Sequence, residues 1–244
     1  MNPVTINVNS PKMWIKFLLG ALMSAVIVAV FFSPSPMSAD MALVDNAVTI
    51  QPEMVYRIMY FHVPQAITAT VAFLVAMFFA LRYLSTKNPA HDIKSYRANH
   101  AGLVFAILAL VTGMVFARYT WGFWWDWSEV RMTSMFILAL MYGGYFSLRS
   151  AIIDEQKRAT LASVMSVLFG IAGIFLMFVV PRISASRHPS DSIVNSSGQV
   201  TMGPQVRLIF FSSVVAFLLL FYWIWNLTTR LSIFELRSEQ KRDA

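Results

Sequence analysis

Asn99-His-Ala-Gly-Leu-Val-Phe-Ala-Ile-Leu-Ala-Leu-Val-Thr-Gly-Met-Val-Phe-Ala117 decides the fold. The run holds no acidic or basic side chain apart from one histidine at its start. A hydrocarbon layer about 30 Å thick needs roughly 20 helical residues to cross it, and this run nearly meets that length. Working outward, five more runs of the same kind appear, so the expected spans are 13–32, 58–81, 99–117, 132–149, 160–181 and 207–227. The fold expected is an all-α integral membrane protein, a single domain over 1–244 built as a bundle of six transmembrane helices. Composition agrees: the 244 residues are 57% hydrophobic and 13% charged, about half the charge of a soluble domain. Mean hydropathy is +0.61.

Two local features qualify the spans. The fourth is the shortest, and Gly143-Gly144 within it suits close packing against a neighbour. The second opens on His62-Val-Pro64, which places the proline in a first helical turn, where a missing N–H has no partner to lose.

Orientation follows from lysine and arginine placement. With the N-terminus inside, the inner segments carry thirteen of the nineteen basic residues and the outer segments six, while the acidic residues divide evenly. Both termini are therefore expected on the cytoplasmic side. The same placement accounts for the net charge of +7 without nucleic acid, because the basic residues flank apolar runs. A cleaved leader is the alternative for the first run, but its uncharged stretch from Phe17 to Ala39 is too long for one, so the span is expected to be retained. There is no cysteine, which excludes disulfides, thiolate ligation and iron–sulfur clusters. A short surface helix is expected over Val44–Tyr56, on the outer face.

Between the third and fourth spans, on that face, lies the outer loop 118–131. It contains Trp121-Gly-Phe-Trp124-Trp125-Asp126-Trp127-Ser-Glu129-Val-Arg131, with four of the chain's seven tryptophans. One or two indoles there would be an interfacial belt. Four suit a flat, largely apolar ligand such as porphyrin, and helical or 3₁₀ spacing would set Trp121, Trp124 and Trp125 on one side as a platform. Two histidines share the face: His62 at the start of the second span and His188 in the outer loop 182–206. Each alone reads as an ordinary polar side chain. Together, remote in sequence, they suit axial ligation of one haem iron from opposite sides. They do not suit zinc, which takes three or four protein ligands. His91 and His100 lie at the opposite face. Arg118, Arg131, Arg182 and Arg187 lie on this face, and two of them are placed to meet haem propionates, the alternative being lipid phosphates. Asp126 and Glu129 each have three roles open: orienting a histidine, pairing with an arginine, or facing a partner.

The tryptophan run, with Arg131 and Thr133-Ser134 after it, resembles the tryptophan-rich signature of the haem-handling proteins of cytochrome c biogenesis. In size and span count the chain is most similar to the C component of the system I maturation machinery. Tyr60-Phe-His62-Val-Pro64 and His188-Pro189 resemble that family's two histidine motifs. The run from Trp127 to Arg131 is one residue longer than the family pattern, which leaves its acidic role to either Asp126 or Glu129. The resemblance implies a haem-transfer protein without classical catalytic activity, which presents haem and helps to load a chaperone with it covalently. Haem b would be transient cargo on the outer face of a bacterial inner membrane, held by His62, His188, Trp121, Trp124, Trp125, Trp127 and Arg131. The partners implied are a haem chaperone on that face and an ABC-type ATPase with its membrane subunits. No phosphate-cradling Gly-x-x-x-x-Gly-Lys-[Ser/Thr] loop is present, so ATP use falls to a partner. The basic inner surface is expected to meet membrane lipids or other subunits. Two other classes stay open: a membrane-bound b-type electron-transfer cytochrome and a cofactor-free accessory subunit of a transporter.

Overall fold

The computed structural model describes residues 11–32, 57–188 and 202–242. They form six helices: α1 (Met13–Phe32), α2 (Met59–Thr86), α3 (Pro89–Trp121), α4 (Val130–Ala151), α5 (Glu155–Ile183) and α6 (Pro204–Arg242). The expected surface helix over Val44–Tyr56 lies outside the described residues.

Five helices, all but α4, are long and apolar enough to cross a membrane. The 22 residues of α4 rise about 33 Å, enough to cross, but it carries Arg131, Arg149, two tyrosines and the glycine pair. Helices α3 and α6 run well past the predicted spans. An apolar run marks the hydrocarbon thickness, whereas a helix continues until a breaker or a new cap stops it.

Those stops are legible in atoms. Helix α2 ends where Lys87 turns left-handed at φ 55° and returns its N–H to the Tyr83 carbonyl at 2.7 Å. Asn88 then caps α3 by accepting from the Ala90 N–H at 3.0 Å, with Pro89 in the first turn. So short a link makes α2 and α3 antiparallel neighbours. Asp154 caps α5 through the Lys157 N–H at 2.7 Å. The Arg57 guanidinium closes the end of α1, donating to the Val30 and Phe31 carbonyls.

Helix α2 is the hub, packed against α3, α5 and α6, while α1 leans mainly on α6, with Tyr60 of α2 in the same buried cluster, and α4 lies against α3 and α5. Small residues permit the approach: Ala69, Ala72, Ala76 and Ala80 on α2 are fully buried, facing Ala98, Ala106 and Ala109 on α3. Gly102 is required where it stands, because a Cβ there would lie 2.6 Å from the ring of Phe73. That ring is itself stacked on Tyr142 at 3.7 Å. Gly143 and Gly144 behave differently. Among the described residues nothing outside their own helix comes within 4 Å of where their Cβ atoms would sit, so the pair shows no close-packed neighbour there.

Pro64 also departs from expectation. Helix α2 starts at Met59, so the proline falls in the second turn and leaves the Tyr60 carbonyl without its usual donor. The Ser213 hydroxyl of α6 donates to that carbonyl instead. Near the end of α5, Phe175–Val179 widens into a π turn, with the Val180 N–H reaching back to the Phe175 carbonyl. Pro181 follows directly, and Arg182 donates to the Phe178 carbonyl at 2.6 Å. A π turn inserts one residue into a helix, and it sets the angle at which the chain leaves α5 toward His188.

The end of the bundle away from the tryptophans is basic and closed by a buried ion pair. Arg149 of α4 grips Asp92 of α3 through two bonds of 2.8 and 2.6 Å and covers the Tyr96 ring at 4.7 Å. His91 stacks on Phe79 and His100 meets the edge of Phe146, both on aromatic neighbours of their own.

Candidate functional site

The site is built at the other end, where α2 begins, α3 ends and α4 begins. His62 sits in the first turn of α2, facing α3. Its ring lies against Gly113, where a Cβ would be 2.9 Å from Cε1. Its Nδ1 is 3.0 Å from the Thr112 hydroxyl. That hydroxyl has one proton and lies 2.8 Å from the Leu108 carbonyl, the usual back-bond of a helical threonine. Thr112 therefore donates to Leu108 and accepts from His62 Nδ1–H. The lone pair of His62 is left on Nε2.

Helix α3 stops at Trp121 because Gly122 turns to φ 85°, a conformation open to glycine. Arg118 donates to the Gly122 carbonyl at 2.5 Å and so caps the helix. Past that point 123–129 is not helical. The expected one-sided platform of Trp121, Trp124 and Trp125 consequently does not form by helical spacing. Trp121 packs edge-on against His188 at 5.0 Å and against Phe116 at 5.6 Å. Trp125 and Trp127 pair at 5.2 Å, and both meet Phe136 of α4. Trp124 and Trp127 are more than half exposed. The indole Nε1 of Trp125 and the Nε of Arg131 are both buried, with no hydrogen-bond partner among the described residues.

The two acidic residues divide their work. Asp126 organises the turn, accepting from the N–H and hydroxyl of Ser128 at 2.8 and 2.7 Å, and it lies 3.5 Å from Arg187. Arg187 also covers the ring of Phe123. Glu129 is buried at 1% exposure and holds the second histidine. Its Oε1 accepts from His188 Nδ1 at 3.0 Å, from the Ser186 hydroxyl at 2.7 Å and from the Arg131 N–H at 3.3 Å. Its Oε2 accepts from the Arg187 N–H at 2.8 Å. One carboxylate thus caps α4 and clasps three successive residues beyond α5.

Electrostatics follow from those partners. Burial pushes His188 below the usual imidazole value, with the Glu129 carboxylate pulling the other way, so the ring is neutral at neutral pH. Burial alone would raise Glu129, but the Ser186 hydroxyl, the Arg187 N–H and His188 outweigh it and hold the carboxyl below its ordinary range. A group whose folded value is depressed contributes stability above its unfolded value and loses it as pH falls through the folded one. Acidification from pH 7 should thus loosen the clasp, beginning below the ordinary histidine value of about 6.5. The expected result is amide-exchange protection at Arg187 and His188 that weakens progressively as pH falls below that value, after correction for intrinsic exchange, with α2 and α3 unchanged.

The arrangement brings together most of the residues that the sequence singled out. His62, Trp121 and His188 converge, and the two imidazoles are near enough for the charge of either to act on the other. Each has Nδ1 backed by a protein acceptor and Nε2 left with a lone pair, which is how protein imidazoles are oriented toward a metal. Arg118 is engaged as a cap. Thr112, Gly113 and Ser186 were missed. Thr112-Gly113 did carry a signal, as a polar and a glycine residue inside an apolar run; Ser186 carried none.

These features define a class: a multi-pass membrane protein, all-helical among the described residues, with two imidazoles and a tryptophan-rich turn at one end. Within it, the sequence model described as CcmC, heme exporter protein C, matches residues 4–244. The chain belongs to the heme exporter protein C family. It is similar to the heme exporter protein C of Paracoccus denitrificans (strain Pd 1222), 27% identical over 177 residues, which cover 72% of this chain and 73% of that one. It is 30% identical to the protein of that name in Bradyrhizobium diazoefficiens over 165 residues, 68% of this chain and 62% of the other. The protein of Escherichia coli (strain K12) is 28% identical, over 68% of this chain and 65% of its own.

Proposed function

We propose that this chain binds haem at the outer face of a bacterial inner membrane and presents it to a haem chaperone during c-type cytochrome maturation. In this reading the haem is cargo of the b type. His62 and His188 ligate its iron from opposite sides, and Trp121, Trp124, Trp125 and Trp127 border the ring. The observation that carries the reading is the pair of imidazoles with both Nδ1 atoms engaged and, among the described residues, no partner on either Nε2. The buried, unpartnered donors Arg131 Nε and Trp125 Nε1 at the same end suit an anionic edge such as the propionates. Family membership supports the role in haem export.

The rest of the reading concerns placement. All six helices cross the membrane, α4 included, with both termini cytoplasmic, as the excess of inner lysine and arginine supports. The tryptophan end then lies on the periplasmic side, with 122–129 and 184–188 facing it; the rest of the expected second outer loop, 189–201, lies outside the described residues. An ABC-type ATPase and further membrane subunits complete the assembly at the basic end, together with anionic lipid.

The test is an absorption spectrum of the detergent-solubilised protein loaded with haem, beside His62→Ala and His188→Ala. Six-coordinate, bis-histidine bands in the parent that become five-coordinate in each variant are expected. A protein that takes up no haem overturns the reading and leaves an accessory subunit. Unchanged spectra in both variants would remove these two residues as ligands.

A further inference from the structure

The two imidazoles are backed by chemically different groups. His188 Nδ1 donates to a carboxylate that three other donors fix in place, two of them backbone N–H groups. His62 Nδ1 donates to a neutral hydroxyl whose own proton goes to a carbonyl of its helix. Gln65 lies further from that hydroxyl, its Oε1 at 3.5 Å, and brings no charge. A carboxylate behind an imidazole raises its basicity and strengthens it as a metal ligand, whereas a hydroxyl orients the ring with much less electronic effect. Packing reinforces the difference. Trp121 stands edge-on to His188, while the floor beneath His62 is the bare backbone of Gly113.

Resting on the haem reading above, we propose that Glu129 and Thr112 make the ligands unequal by construction: His188 is the anchoring ligand and His62 the displaceable one, so that handover opens on the His62 side. In that exchange the bond between iron and His62 Nε2 breaks and its electron pair returns to Nε2. An incoming donor on the recipient supplies a lone pair to the vacated position. The iron does not change oxidation state. Glu129 and Thr112 are positioning residues, acting on the iron only through the histidines.

The experiment uses the full chain in detergent, loaded with haem and reduced, with carbon monoxide as the probe. Carbon monoxide enters ferrous six-coordinate haem by displacing the weaker axial ligand. The adduct of the parent protein is expected to match, in its Fe–CO and C–O stretching frequencies, that of His62→Ala, in which only His188 remains opposite. A match to the His188→Ala adduct overturns the proposal. A second arm reads the midpoint potential. Glu129→Gln should reduce the preference for ferric over ferrous haem by about tenfold, equal to ~59 mV for a one-electron couple, and Thr112→Val should change it by less than about twofold. Equal shifts in the two variants overturn the proposal while the haem platform stands. If Glu129→Gln retains no haem, the carbon monoxide comparison decides alone. A parent protein that takes up no haem overturns the platform and the asymmetry together.

Discussion

Glu129→Ala is expected to weaken haem binding by about 10–100-fold, the usual cost of removing the group that orients a metal-bound histidine. The reason is the number of things one side chain does. Without the carboxylate, His188 loses its Nδ1 acceptor, the Arg187 N–H and Ser186 hydroxyl lose theirs, and nothing else joins that segment to the start of α4 by those atoms. The same substitution removes the cap of α4, which costs about 0.5–2 kcal/mol. The two effects separate by measurement. Haem titration should show the full loss, whereas thermal unfolding of the haem-free protein should show only the small one. Equal binding by parent and variant would mean that Glu129 is a helix cap and nothing more. Asp126→Ala separates the two carboxylates: Asp126 shapes the tryptophan turn and meets Arg187 without touching either histidine, so its loss should leave the bis-histidine bands in place.

The second large effect is expected at the opposite end. Asp92 and Arg149 form a bidentate pair with side chains only 12% and 13% exposed. Removing one partner leaves an uncompensated buried charge, so Asp92→Ala should destabilise the protein by about 3–5 kcal/mol. Replacing both with apolar residues of similar size, Asp92→Leu with Arg149→Met, should recover most of that loss, because the desolvation cost disappears with the attraction. Thermal unfolding of the three detergent-solubilised proteins checks this. A double variant as unstable as the single one would show that the Arg149 contact with Tyr96, not the ion pair, holds α3 to α4. Along α4 the pair lies about 30 Å from Glu129, so the haem spectrum of the folded fraction should not move.

How much of this was legible beforehand depends on the range of the interaction. The helices were legible because an uncharged run of 19 or more residues has few alternatives, and α4 was the least secure for the same reason, with Arg131 and Arg149 near its ends. That His62, Trp121 and His188 share one end of the bundle was legible because each falls at that end of its span, the second, the third and the fifth. The choice between Asp126 and Glu129 was not. It turns on contacts 57 to 59 residues apart in the chain, for which no local spacing gives a sign. The helical spacing expected of Trp121, Trp124 and Trp125 fails for a local reason: Gly122 at φ 85° ends the helix one residue into the motif, so the later indoles follow a turn built by Asp126. Pro64 shifted from the first turn to the second because α2 begins at Met59, and the Ser213 hydroxyl that then satisfies Tyr60 comes from 153 residues away.

The π turn at Phe175–Val179 carries a consequence for how this chain tolerates change. It stores one surplus residue just before Pro181, so the azimuth of everything after it depends on a count, not on any one side chain. Deleting a single residue there would shorten the chain only slightly, yet it would swing the exit of α5 by about 100°. Ser186, Arg187 and His188 would then face away from Glu129. Point substitutions in this stretch are mild by comparison, while a change of length by one is a change of phase, and only a compensating change nearby restores it.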